Sequence, residues 1–357
     1  MTITDLPVTL DSPAAADHRV IVRKARTTGR ARAIGVSVVL LVLTFVTFCV
    51  SLSVGDFPIP VLDVVPAIFG HGGPDSDFII RQLRLPRALT AVLVGSAFGF
   101  SGAIFQSLAR NPLASPDIIG ITAGASASAV FVIVVLHGTG FMVSVGALGG
   151  GLIAATVIYL LAYKNGLSAY RLVLVGIGVG AVLSSITSYL FTRAEILDAQ
   201  RAAVWLTGSL NGRGWGHVRP VAISMLVLFP AVLFLARPLR AMQMGDDTAK
   251  GLGVRVERCR VALVIVGVAL AAVATAAAGP ITFVAFVAPP IARRLVRAPL
   301  TLVPAALAGA LLLLLSDLVA RRAFAPVELP VGVITGVIGG PYLMWLLARA
   351  NKIGRGG

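Results

Sequence analysis

The apolar residues of this chain come in blocks, and block after block is long enough to cross a lipid bilayer. A helix rises 1.5 Å per residue, so about 20 apolar residues span roughly 30 Å of hydrocarbon. Such blocks are predicted at 33–54, 88–108, 117–136, 141–163, 171–191, 218–236, 259–278, 281–296, 301–320 and 331–348. A water-soluble fold would need a charged coat that is missing here: 13% of residues are charged and 57% are apolar, against about 25% charged in an ordinary soluble domain. The expected fold is all-α, a polytopic membrane domain of about ten transmembrane helices over residues 33–350. A disordered cytoplasmic tail is expected at 1–32. The run 33–54 is longer than the apolar region of a cleaved signal and no clear cleavage site follows it, so it is expected to stay as a signal anchor.

The net charge of +15 would suggest nucleic acid in a soluble protein. Here the basic residues lie between apolar blocks rather than with aromatic residues on one face, so no nucleic-acid partner is expected. With the N-terminus inside, 21 lysines and arginines, including all four lysines, fall on the cytoplasmic side and nine fall outside. That asymmetry follows the positive-inside rule. It predicts a multi-pass protein of the plasma (inner) membrane with both termini cytoplasmic.

Two cysteines, Cys49 and Cys259, are too few for a disulfide framework, and no Cys/His spacing resembles a metal site. No metal or cofactor is expected. Gly95/Gly99, Gly120/Gly124, Gly146/Gly150, Gly176/Gly180 and Gly332/Gly336/Gly340 recur at the spacing that lets helix backbones approach in lipid. Gly176-x-Gly178-x-Gly180 has no strand before it and reads as helix packing, not as a nucleotide loop. Asp317 is the clearest ionisable residue within a span. An ion pair with Arg321, four residues on, is the first reading, and an ion-coupling carboxylate is the second.

The chain has no G-x-x-x-x-G-K-[ST] motif for ATP phosphates. One loop, 240–258, nevertheless looks built to meet a partner. Asp246, Asp247 or Thr248 would cap a short polar helix there, and Gly251 or Gly253 would end it. Other segments stand out at the interfaces. Arg81, Arg84 and Arg87 cluster outside the second span, Arg110-Asn-Pro-Leu-Ala-Ser-Pro116 forms a Pro-bounded elbow inside, and Trp205 and Trp215 suggest a short helix at the outer interface. The outer arginines would attract either anionic solute, acidic protein surface or lipid headgroups.

In order along residues 35 to 350, several motifs together resemble the FecCD-type permeases, membrane subunits of ATP-binding-cassette importers for ferric siderophores, haem and vitamin B12. The matching stretches are Arg84-Leu-Pro-Arg87, Gly95 through Ser101-Gly102 with Gln106, and Arg110-Asn-Pro-Leu-Ala114 with Pro116 and Gly120. Further on come Trp205 with Gly208-Ser-Leu210, the Gly245…Ala249…Leu252-Gly-Val254 loop, and Gly279-Pro-Ile281 with Phe283-Val284 and Pro289. Last come Asp317 with Arg321, Glu328-Leu-Pro-Val-Gly332, and Gly340-Pro341. The resemblance implies the type II importer architecture: ten helices per subunit, two permease subunits around a central path, a cytoplasmic ATPase dimer, and an extracytoplasmic solute-binding protein. It implies that Arg84, Arg87 and Arg321 dock the binding protein. Gly245, Asp246, Asp247, Ala249, Leu252, Gly253 and Val254 would form the loop that couples to the ATPase, and Asn111 and Leu113 would lie near the cytoplasmic gate.

Pro290-Ile-Ala-Arg-Arg-Leu and Gly339-Gly-Pro-Tyr-Leu-Met-Trp are most similar to permeases for ferric catecholate siderophores. A heterodimer with a related subunit is the first expectation and a homodimer the second. Pro290 departs from the family, where a polar residue is common, so the short eighth span with Pro289-Pro290 is expected to bend or end early. The expected cargo is an iron siderophore, an anion that Arg193, Arg201 and Arg213 at an outer vestibule would suit. Haem and vitamin B12 are the alternatives within the family, and an ion-coupled secondary transporter is the alternative outside it.

Overall fold

The computed structural model describes residues 13–353 apart from 56, 72 and 165–168. Each of the ten apolar blocks carries a helix. Helix α1 (Pro13–Ser53) is followed by two short helices, α2 (Val61–Ile68) and α3 (Pro74–Phe78). A π-helical stretch, Ile79–Arg84, then runs into α4 (Leu85–Ala109). Pro86 has no N–H to offer the carbonyl of Gln82, and the widened turn falls where that bond would be. Next come α5 (Ile121–Val134), α6 (Phe141–Ala162), α7 (Ala169–Arg193), α8 (Ile196–Thr207) and α9 (Trp215–Gln243). The chain ends with α10 (Asp246–Gly251), α11 (Val256–Ala278), α12 (Val284–Val296), α13 (Leu302–Arg322) and α14 (Val331–Ile353).

Eight of these are long and apolar enough to cross a membrane. The other two of the ten expected spans, 117–136 and 281–296, are realised as short helices of 14 and 13 residues, about 20 Å each at 1.5 Å per residue. The eighth block therefore does not end early: it begins late, at Val284, and runs through both prolines to Val296. Part of the segment expected as a disordered tail is also helical, because α1 reaches back to Pro13; residues 1–12 lie outside the described residues.

Burial separates central from peripheral helices. The most apolar window is 78% buried in the rod leading into α4 and 72% buried in α11, but 11% buried in α1 and α7. An apolar helix left uncovered by its own chain offers that face to lipid or to another apolar subunit. Several hydroxyls on these outer helices bond to their own backbone, as Thr44 and Thr47 do to the carbonyls of Leu40 and Leu43 at 2.7 and 2.8 Å, the usual way to satisfy a hydroxyl on an apolar helix.

Glycines set the spacing at the centre. A methyl on Gly95 would meet the backbone of Gly309 and Ala310, one on Gly99 that of Ala305 and Ala306, and one on Gly102 that of Ala285. Helix α4 thus lies backbone to backbone against α13 and α12, the close approach that drives association in lipid. Gly124 meets Gly150 and Gly120 meets Gly176 in the same way. Of the last stripe, Gly332 packs against the Thr207–Gly208 backbone, while Gly336 and Gly340 have open space around them within the described chain.

Candidate functional site

Helix α4 connects two charged sites, one at each of its ends. At its start, Arg87 sends Nε and Nη2 to Asp317 of α13, each 3.0 Å from Oδ1, and Nη1 to Glu328 Oε2 at 2.9 Å. Asp317 is fully buried and also holds Arg321, whose Nε lies 3.2 Å from Oδ2. That second contact has ion-pair distance without hydrogen-bond direction, since the same nitrogen lacks a hydrogen-bond partner. Arg321 Nη2 instead donates to Ser51 Oγ at 2.6 Å. The i,i+4 reading of Asp317 and Arg321 therefore describes their geometry, with Arg87 as a third member. Two guanidiniums thus share one buried carboxylate, so its charge is paired rather than bare.

Arg84 is placed differently from the docking role expected of it. It is 8% exposed and donates to the carbonyls of Leu52, Ser53 and Phe57 at 2.8, 3.0 and 2.5 Å. The last carbonyls of a helix have no partner within it. Arg84 supplies one to the end of α1, and the negative pole of the helix favours a cation there. Of the three arginines expected to dock a binding protein, Arg87 and Arg321 meet at Asp317, while Arg84 donates to the backbone.

The three vestibule arginines are not brought together. Arg193 lies over the Tyr189 ring at 5.7 Å. Arg201 pairs with Asp198 at 3.3 Å, beside His137 on the same carboxylate at 2.9 Å. Arg213 instead borders the cavity at the Arg87 end. Its Nη1 is 3.0 Å from His217 Nε2, and its Nε donates to the Ser209 carbonyl. Burial lowers its pKa from the ordinary guanidinium value.

At the other end, α10 covers the expected coupling segment. Its cap is Gly245 (φ 117°), with no side-chain cap, so Asp246 is the first helical residue rather than the cap. This frees its carboxylate: Oδ1 accepts from Arg110 Nη2 at 3.1 Å and Oδ2 from Arg260 Nη2 at 2.5 Å. Arg110 also donates to the Met242 carbonyl at 2.7 Å. The helix ends as Gly253 (φ 80°) and Val254 return bonds to Lys250 and Ala249. Ala249 is buried, whereas Asp247, Leu252 and neighbouring Met244 face outward. Asn111, next to Arg110, accepts the Leu113 N–H on its side chain at 2.9 Å, closing an Asx turn. One aspartate thus links a protruding helix to the elbow that carries Asn111 and Leu113.

Two groups have a part that the sequence does not assign them. Gln106 joins α4 to α12: its amide donates to the Phe286 carbonyl at 3.0 Å and accepts from Arg293 at 2.6 Å. Asp117 lies beside the Thr122 side chain and the Phe283 backbone, close enough for both to bear on its carboxylate, where the starts of α5 and α12 meet. For Gln106 a signal did exist, since each proline inside a helix frees a carbonyl that needs a donor from elsewhere.

A bundle of membrane-length apolar helices whose polar machinery gathers at its two ends is the build of a multi-pass transport permease. The chain belongs to the FecCD transport family, matched over residues 43–349. It is 45% identical over 291 residues to the ferric enterobactin transport system permease protein FepG of Escherichia coli (strain K12), covering 81% of this chain and 88% of that protein. It is 39% identical over 347 residues to the achromobactin transport system permease protein CbrC of Dickeya dadantii (strain 3937), covering 95% and 99%. A solved metal-chelate type ABC transporter in an inward-facing conformation superposes with a TM-score of 0.79 at 27% identity, over 88% of this chain and 99% of the other.

Proposed function

We propose that this chain is the membrane permease subunit of an ATP-driven importer that carries ferric siderophores across the plasma membrane. The observation that carries the reading is the Asp246 bridge from α10 to Arg110 and Arg260. A polar helix with an exposed outer face, tied by a charge-assisted bond to the elbow beside Asn111 and Leu113, can pass a push from a soluble ATPase to a gate. Siderophore cargo is supported by the relatives, which carry ferric enterobactin and achromobactin. In this reading the α10 end and both termini face the cytoplasm, where the lysines gather. The Arg87 end faces outward and receives a solute-binding protein. A cytoplasmic ATPase dimer drives the cycle, and a related permease subunit completes the path as a heterodimer.

The test is uptake in a strain lacking the gene, complemented with wild type or Asp246→Asn. Cells receive radiolabelled iron as catecholate, hydroxamate or citrate chelates, and labelled cobalamin separately. Restored uptake of a ferric chelate is expected with wild type. Both partners of the Arg110–Asp246 pair are more than a third exposed, where an ion pair contributes about 0.2–1 kcal/mol, so Asp246→Asn should cut the rate about two- to fivefold while the ATPase still associates. Iron uptake that never depended on the gene, with cobalamin uptake that did, would overturn the cargo assignment. An unchanged rate in Asp246→Asn would overturn the coupling route.

A further inference from the structure

At the Arg87 end, a cavity of about 450 Å³ lies between the π-helical stretch, the turn at 211–214 and the connection from α13 to α14. Arg84, Arg87, Arg213, Arg321 and Arg322 border it, and Glu328 is the carboxylate on its wall. Arg84 is committed to carbonyls of the α1 end, and Arg321 to Asp317 and Ser51. Arg213 has no carboxylate within ion-pair distance among the described residues, and its contacts are a histidine and a carbonyl. A buried cation without an anion is costly, so this cavity is short of negative charge.

Glu328 stands in the way of one answer. Arg87 holds the buried Asp317 with two of its nitrogens, while its Nη1 reaches Glu328. Asp317 has no exposed surface, whereas the Glu328 side chain is 35% exposed and stands on a coil connection rather than a helix. The inner bond is fixed and the outer one is exchangeable.

We infer that Glu328 is a resident stand-in for a carboxylate that arrives on another protein. A protruding aspartate or glutamate of the solute-binding protein takes the Arg87 Nη1 that Glu328 now holds and lands between Arg87 and Arg213. Glu328 thereby keeps Arg87 paired in the empty permease and makes docking a carboxylate exchange. Arg213, not Arg84, supplies the receiving cation. This rests on the docking reading above and adds to it the group displaced and the group that receives.

The test measures association of the cognate binding protein with the complete transporter in nanodiscs, at two salt concentrations, for wild type, Glu328→Gln and Arg213→Gln. A second arm places a bulky maleimide label on Asn211→Cys at the rim. Removing the competing carboxylate should tighten binding several-fold, and removing the receiving cation should weaken it about tenfold and flatten its salt dependence. Melting curves of the purified variants separate these effects from misfolding. If Glu328→Gln weakens binding, or Arg213→Gln leaves it unchanged while the rim label blocks it, the exchange is wrong and the docking face stands. If the bulky label leaves association intact, the docking face itself is wrong. If Arg213→Gln spares association but raises the chelate concentration needed for uptake, the cavity serves the cargo anion and the inference fails.

Discussion

Helices α5 and α12 hold the same place in two successive runs of the chain, α4–α7 and α11–α14, each ordered long, short, long, long. In the first run the lengths are 25, 14, 22 and 25 residues; in the second they are 23, 13, 21 and 23. Both short helices start from a left-handed residue, Gly120 (φ 85°) and Phe283 (φ 68°). Beyond that they differ. Helix α5 has no proline and sits with Gly124 against Gly150 of α6. Helix α12 contains Pro289 and Pro290, which leave the carbonyls of Ala285 and Phe286 without their usual donors. Helix α4 supplies the substitute for one of them, since Gln106 donates to the Phe286 carbonyl, while Gly102 leaves the room in which the Ala285 carbonyl packs against α4. In hydrocarbon a freed carbonyl must find a protein partner. A short helix can therefore be made self-sufficient, as α5 is, or be wedded to one neighbour, as α12 is.

Gly102→Val should separate the two cases most sharply. Its side chain would strike the Ala285 backbone, which cannot swing aside. Overpacking of this kind costs about 1–3 kcal/mol, occasionally more, and we expect a loss of yield and a melting midpoint lower than in any other variant named here. Ser128→Ala, beside Gly150 at the α5–α6 contact, removes only a hydroxyl and should leave the midpoint within error. If the two melts were equal, the dependence of α12 on α4 would be refuted.

Gln106→Leu comes next. It strands the Phe286 carbonyl, a loss of about 1–3 kcal/mol for one buried group left unsatisfied, and it takes one partner from the half-buried Arg293 guanidinium, which water can replace. Pro290→Ala restores an N–H that can bond Phe286 from within the helix. The double variant Gln106→Leu/Pro290→Ala should therefore recover part of the loss, and a double-mutant cycle on thermal midpoints reads the coupling directly. Additive effects would mean that Gln106 does not compensate for the proline.

How far the sequence reveals this varies with the reach of the interaction. Block length and the Gly95/Gly99 spacing are local, and they foretell the bundle and its tight centre. The anomaly of Pro290 is also visible, but its remedy stands 180 residues away along the chain, and no periodicity points there. The Arg84 and Arg87 pair looks uniform in sequence. Only the placement of Leu52, Ser53 and Phe57 gives Arg84 backbone carbonyls, while Arg87 keeps carboxylates. The cap on α10 was misread for a related reason: Asp, the usual capping residue, is drawn instead to two arginines from other helices.

The smallest expected effect concerns the bond between the two short helices. Asp117 lies beside both Thr122 of α5 and the Phe283 backbone at the start of α12, and its carboxylate oxygens can accept from each. Asn in its place keeps one oxygen and turns an N–H₂ toward one of those donors, so one of the two bonds should be lost, for about 1 kcal/mol. Because α5 keeps its own hydrogen-bond ladder while α12 depends on outside partners, the loss should loosen α12 more than α5. Hydrogen exchange should quicken at Phe283–Ala285 and hold steady at Ile121–Ala123. The reverse pattern would make α5 the dependent helix and invert the comparison.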